Sequence, residues 1–251
     1  MIWDQMATVV PGFGWHWVLV YLRLQAAVIA LPGLGERVLP VRVRVAVAMA
    51  LCPLLAPLAG PVPAPDQPLL YLGAVGREIV VGFASGALLR VMAMALDIAT
   101  TAIAATASLS QIIGVQNEMA PHPIGNLLHL GGIAILMALG LPLMLVRYLI
   151  DGMVIWPVGS WPDIALLLPE FLRVVVSSFS LAMVMAAPFS LGGFLFQALS
   201  GVINRVMPAL PVVFIGAPLS ILMALTALAI LGPALIALWA DALLSYMLPR
   251  P

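Results

Sequence analysis

Six stretches of this chain, near 15–35, 41–59, 69–95, 124–150, 172–203 and 209–248, run for about 20 residues or more with few charges among them. That is the length a helix needs to cross the hydrocarbon core of a bilayer. No water-soluble fold of 251 residues could bury them all. Composition agrees: 64% of residues are hydrophobic and 8% charged, against roughly 45–50% and 25% in soluble domains. The mean hydropathy is +1.18. A cytosolic enzyme, a nucleic-acid binder and a disordered tail are excluded. Alternating strand patterns are absent, which argues against a barrel. The expected fold is all-α, a polytopic integral membrane protein of about six to seven hydrophobic helices.

The uncertain spans are at the end and in the middle. The run 209–248 is long enough for two passes, or for a hairpin turning at Gly232-Pro233. The segment 97–115 is a seventh, ambiguous candidate. Between the spans, GPVPAPDQP (60–68) cannot be helical throughout, because proline recurs at 61, 63, 65 and 68. WPVGSWPD (156–163) reads as an interfacial turn with aromatic anchors. No stretch outside the helices is long enough for a soluble domain, so residues 1–251 read as one domain.

The charges are ten Arg and no Lys, against six Asp and four Glu. A neutral chain has no electrostatic footprint for nucleic acid. Asp4 stands where a signal peptide needs positive charge and Arg23 interrupts the apolar run that follows, so no cleavable signal is expected. Arg37, Arg42 and Arg44 cluster between the first two spans. By the bias of basic residues toward the cytoplasm, 36–44 is expected inside, with 60–68 and the N-terminus outside. Those three arginines either hold the loop on one side of the membrane or, with Pro40, form an assembly contact through bidentate Arg geometry.

Other charges sit at membrane depth. Arg23 interrupts the first span, and Arg77-Glu78 lies inside 69–95, thirteen residues before Arg90. Each ionisable group at the bilayer centre costs about 2.5–3.5 kcal/mol on insertion scales. Three readings stand: ion pairing within a bundle, a proton or ion path, or helices that do not stay in lipid. Gly82 and Gly86 form a GxxxG spacing, and Ala99–Ser110 is almost all Ala, Thr and Ser. Both suit close helix packing, against helices of this chain or of others. Asn204-Arg205, ahead of Pro208, suits a helix C-terminus whose dipole favours a cation, or a partner contact.

The stretch 111–126 is the most polar between two spans, yet Ile112, Ile113, Val115 and Met119 stand among Gln111, Gln116, Asn117, Glu118 and His122. It is a solvated connector or a segment docked in a crevice or pore. Enzyme signatures are missing. The histidines make no HExxH-like pair, and Ser85 lacks the glycine two residues before it that a nucleophile elbow needs. Without lysine there is no Walker-type phosphate loop. Cys52 is alone. Asp97 and Glu118 straddle a helix end with no partner base. No catalysis and no cofactor are expected.

Two blocks carry a resemblance. YLRLQAAVIALPGLGERVLPVRVRVAVAMAL (21–51) is similar, at Leu22, Arg23, Pro32, Gly35, Arg37, Pro40, Arg42, Val43 and Arg44, to the N-terminal signature of the FliR/SctT family of type III export-apparatus membrane proteins. NRVMPALPVVFIGAPLSILMAL (204–225) resembles that family's later block at Asn204, Arg205, Pro208, Leu210, Val213, Phe214, Gly216, Pro218 and Leu219. Where members often have Asn, this chain has Glu36, and Pro211 stands where a polar residue is common. The Arg-Val-Arg form looks more flagellar than virulence-type.

The resemblance implies a structural and gating subunit of the flagellar export gate, in the bacterial inner membrane at the basal body. Its helices would be bent hairpins in a hetero-oligomer with FliP and FliQ homologues, contacting FlhB and FlhA, with exported flagellar proteins as transient substrates. Arg23, Arg37, Pro40, Arg42, Arg44, Gly82, Gly86, Asn204, Arg205 and Pro208 would serve assembly. Gln111, Ile112, Ile113, Gly114, Val115, Met119 and His122 would fall in the plug loop that closes the pore. The alternatives are the virulence counterpart SctT and a secondary transporter of ions or small solutes. A transporter should show repeated, interrupted helices in two halves, and the Pro-rich breaks here show no such symmetry.

Overall fold

The computed structural model describes residues 14–106, 123–207 and 212–248. Their regular elements are all helical: α1 (Trp15–Ala30), α2 (Val41–Leu55) running into a 3-10 turn (Ala56–Ala59), α3 (Pro68–Thr106), α4 (Pro123–Ala138), α5 (Leu141–Ile155), α6 (Ile164–Val206) and α7 (Val212–Leu244). Among the described residues, four stretches are long and apolar enough to cross a membrane: Val41–Ala59, Pro68–Ile103, Ile164–Val206 and Pro218–Leu244. The bent pair α4–α5 makes a fifth if it counts as one span. The protein is an all-α, polytopic membrane protein.

Proline and glycine set most boundaries. α1 ends at Ala30, short of the expected 35, because Leu31 precedes Pro32 and is pushed to extended backbone at φ −62°, ψ 139°. Pro68 opens α3, at the position where its missing N–H has no helical partner. The expected single span 124–150 is two helices, since Gly140 between them takes φ 104°, a left-handed value that glycine reaches without strain. α5 stops before Trp156-Pro157 for the reason α1 stops before Pro32.

Three expectations give way to longer helices. The ambiguous segment 97–115 is no separate helix as far as it is described: α3 runs unbroken to Thr106. Its tail is rich in alanine, the strongest helix former, and the Thr100 and Thr101 hydroxyls donate to the Asp97 carbonyl at 3.0 and 2.8 Å. α6 begins at Ile164 rather than 172, with Asp163 Oδ1 accepting the Ala165 N–H at 2.8 Å as an N-cap. There is no hairpin at Gly232-Pro233, and α7 passes through both Pro218 and Pro233. An interior proline costs about 3 kcal/mol, but each backbone group left unpaired in an apolar medium costs several more.

The described residues fall into two compact units. One holds 14–91, 137–174 and 246–248; the other holds 92–106, 123–136, 175–207 and 212–245. In the first, Leu19, Leu24, Leu31, Leu55, Leu88 and Leu141 are wholly buried. Here α3 crosses α1 backbone to backbone. A Cβ on Gly82 would fall 2.1 Å from the Arg23 carbonyl oxygen, and one on Gly86 2.6 Å from that of Ala27. The small-residue spacing therefore serves a helix of the same chain. In the second unit Trp239 packs beside Gly132 and Leu96 and donates its indole N–H to the Ala93 carbonyl at 3.1 Å.

Gly82→Ala is expected to destabilise the protein by about 1–3 kcal/mol, because neither backbone can yield. Gly76, on the same helix, has nothing within 4 Å of a built Cβ. Gly76→Ala should gain helix propensity instead. Thermal unfolding of both variants in detergent checks this, and equal midpoints would refute the close crossing.

Candidate functional site

Within the first unit a polar knot sits in apolar surroundings. Arg23 of α1 is 4% exposed and Glu78 of α3 is 0% exposed. Arg23 Nε and Nη2 both reach Glu78 Oε2, at 2.7 and 2.6 Å. Arg23 Nη1 donates to the Trp156 carbonyl, which the end of α5 has freed from helix bonding. Glu78 Oε1 accepts the Gly159 N–H at 2.9 Å. Gly159 holds φ 91°, which lets the loop present that N–H. Arg77 Nε stands 3.6 Å from Glu78 Oε1. Of the readings open for Arg23 and Arg77-Glu78, ion pairing within the bundle fits this geometry.

A second cluster lies in the same unit. Tyr148 donates its hydroxyl to the Ser85 carbonyl at 2.7 Å, and its ring is 6.2 Å from that of Tyr246. Tyr246 donates to Glu170 Oε1 at 2.7 Å, and Glu170 also accepts Arg173 Nε at 2.8 Å and Nη2 at 2.6 Å. Burial first, and then the hydrogen bond to Glu170, push the Tyr246 hydroxyl well above its ordinary range, so it remains a donor.

The three arginines of 36–44 differ in kind: Arg37 lies in the loop before α2, and Arg42 and Arg44 lie in its first turn. Arg44 donates through Nη2 to the Glu36 carbonyl. Glu36 in turn holds Arg90 of α3 by an ion pair through Oε1. Arg37 and Arg42 are exposed and make no ion pair among the described residues; Val38 and Val41 beside them are 73% and 68% exposed. Pro40 is the N-cap residue of α2. Asn204 and Arg205 are exposed in the last turn of α6, at the dipole end expected for a cation. Pro208 and the plug candidates Gln111, Ile112, Ile113, Gly114, Val115, Met119 and His122 lie outside the described residues.

Sequence reasoning missed two pairs. Glu36 was a departure from a family pattern, not a partner for Arg90. Asp97 does have a base: His129 Nδ1 lies 2.7 Å from Asp97 Oδ1, joining α3 to α4 in the second unit. The partners are 54 and 32 residues apart, and no local period links them.

Apolar surface is the other notable feature. Only 33% of the most apolar window of α6, and 6% of that of α7, is buried within the chain. Such surface requires lipid or the helices of other chains. Long apolar helices, with Arg23–Glu78, Arg90–Glu36 and Asp97–His129 paired within the chain, define a membrane-embedded helical protein. Residues 15–245 match the bacterial export proteins, family 1, and the chain belongs to that family. It is similar to the flagellar biosynthetic protein FliR of Caulobacter vibrioides, 28% identical over 229 residues covering 89% of this chain and 90% of that one. It is also 27% identical to FliR of Aquifex aeolicus over 207 residues, 81% of this chain and 80% of that protein.

Removing one partner of a buried ion pair typically costs about 3–5 kcal/mol, whereas replacing both with apolar groups is often near neutral. Arg23→Met and Glu78→Leu singly should each strongly lower the yield of folded, monodisperse protein in detergent. The double variant should recover much of it. A double variant as poor as the worse single one would show that the pair is not the unit of stability.

Proposed function

We propose that this chain is a FliR-type structural and gating subunit of the flagellar type III protein export apparatus, without catalytic activity of its own. The carrying observation is the family match through 15–245, reinforced by two FliR relatives matched over 80% and 90% of their own length. In this reading it sits in the bacterial inner membrane at the flagellar basal body. FliP and FliQ homologues complete the pore with it, FlhB and FlhA contact it, and unfolded flagellar proteins pass through. The uncovered faces of α6 and α7 support such an assembly, because they supply apolar surface that this chain does not bury. So do the lengths of α3 and α6, 39 and 43 residues. At 1.5 Å per residue they reach about 58 and about 64 Å, roughly twice a hydrocarbon core of about 30 Å.

Arg37 and Arg42 are the assembly contacts in this reading, as they are exposed beside exposed valines. Co-purification of tagged protein with FliP- and FliQ-like chains tests the reading as a whole; a stable, solitary, solute-binding monomer would overturn it. Arg42→Lys keeps the charge but loses the planar fork that grips carboxylates. It should lower the recovered complex several-fold, and recovery equal to the parent would leave the loop a topological signal only.

The segment 111–124 is the gate in this reading. Its apolar residues Ile112, Ile113, Val115 and Met119 exclude water from a constriction, and methionine adapts to varied chains passing it. Gly114 permits a sharp bend, and Pro121 and Pro123 restrain extension of the next helix. A tight closed state matters because an open pore would dissipate the ion gradient. Deleting Gly114–His122 should leave the complex assembled but leaky, read as conductance or as growth inhibition by a small toxic solute. An assembled complex as tight as the parent would make the segment a connector.

A further inference from the structure

The polar knot around Glu78 holds two guanidinium groups and one carboxylate. Both carboxylate oxygens are engaged: Oε2 by two donors of Arg23, Oε1 by the Gly159 N–H. Arg77 is left with an ion-pair contact at 3.6 Å, beyond hydrogen-bond length. Its Nε is buried and has no hydrogen-bond acceptor among the described residues. An arginine cannot shed its charge to escape this. Asp66 and Asp163, the acids of the two flanking loops, are exposed; Asp163 is committed to capping α6, and neither pairs with Arg77 among the described residues. The knot carries one positive charge in excess.

Its depth is also informative. Arg77 stands nine residues into α3, about 14 Å from the helix start. α3 exceeds the hydrocarbon core by about as much at each end, so Arg77 can lie level with headgroups. The loop 156–163 lies against it, since a Cβ on Gly159 would be 3.9 Å from Arg77 Nη2. That loop carries Trp161, 66% exposed, and an exposed tryptophan beside apolar helices marks the level where apolar core meets headgroups. The Arg77 side chain is 18% exposed, partly open to an approaching group.

We propose that Arg77 is a binding position for a phosphate oxyanion, the chemistry shared by a phospholipid headgroup and free phosphate. The planar fork suits phosphate oxygens, and the excess charge is cancelled when one binds. Because Arg23 and the Gly159 N–H, not Arg77, supply the hydrogen bonds to Glu78, Arg77→Gln leaves the buried pair in place.

The full chain, purified with whatever partners accompany it, is exchanged into bilayers of equal parts phosphatidylglycerol and phosphatidylcholine, and retained lipid is measured by mass spectrometry. The parent should retain phosphatidylglycerol preferentially. Arg77→Gln should hold about fivefold less of it, the loss that corresponds to about 1 kcal/mol for one arginine at an anionic surface. A second arm adds inorganic phosphate alone and follows the melting temperature. Stabilisation of the parent but not of Arg77→Gln by phosphate alone assigns the site to a soluble ligand, whereas a lipid effect without it assigns a headgroup. Equal lipid retention and equal phosphate response in parent and variant would overturn the proposal. So would unchanged retention with loss of a co-purifying chain, which would make the acceptor a neighbour's carboxylate. Should Arg77→Gln not fold, Arg77→Lys must still show reduced retention through loss of the fork, and parent-like behaviour would count against the site.

Discussion

A buried charge must find its opposite, and in this chain the need is met by Arg23 and Glu78. Each would be costly alone in apolar surroundings. Together they require α1 and α3 to touch at one register. The touching is possible because Gly82 comes one turn after Glu78 and Gly86 one turn later, so α1 lies on α3 against the backbone at Arg23 and Ala27, with only the Ala30 methyl beside Gly86. Arg23 is used twice, its side chain reaching Glu78 while its own carbonyl rests in the notch at Gly82. Pro157 completes the arrangement by ending α5, which releases the Trp156 carbonyl as an acceptor for the same guanidinium.

What the amino-acid order makes visible here is mostly what is local. The apolar runs announce membrane helices, and the prolines of 60–68 and 156–163 mark real breaks. Residues 21–51 and 204–225 carry enough of a family pattern to suggest export proteins. Misjudged boundaries came from treating charges and prolines as stops. The expected start of α6 at 172 left out the turns before it, where the buried Glu170 accepts from Arg173 and Tyr246. Pro233 suggested a turn, yet without competing water α7 continues through it. Asp97 suggested an end, yet its carboxylate is taken by His129 on α4. The partner identities were hidden because they join residues far apart in the chain, where no period of 3.6 can bring them to notice.

The two units face different physical problems. The first holds the arginine–glutamate pairs and the neighbouring tyrosines Tyr148 and Tyr246, so its interior is specified by directional bonds as well as by apolar packing. In the second, α7 contributes Trp239, Ala240 and Leu243 to the interior and leaves most of its length uncovered. Such a surface is stable in lipid or against other apolar helices, and in neither case does it need water.

The crossing at Gly82 and Gly86 has a mechanical consequence. Helices whose backbones are in contact cannot slide past each other by part of a turn, because every neighbouring register puts a Cβ where a glycine now sits. α1 and the adjoining turns of α3 therefore behave as a single rigid strut. Any rearrangement of this unit must draw its freedom from joints elsewhere, and Gly140, already at a left-handed backbone angle with open space around it, is where the chain can swivel.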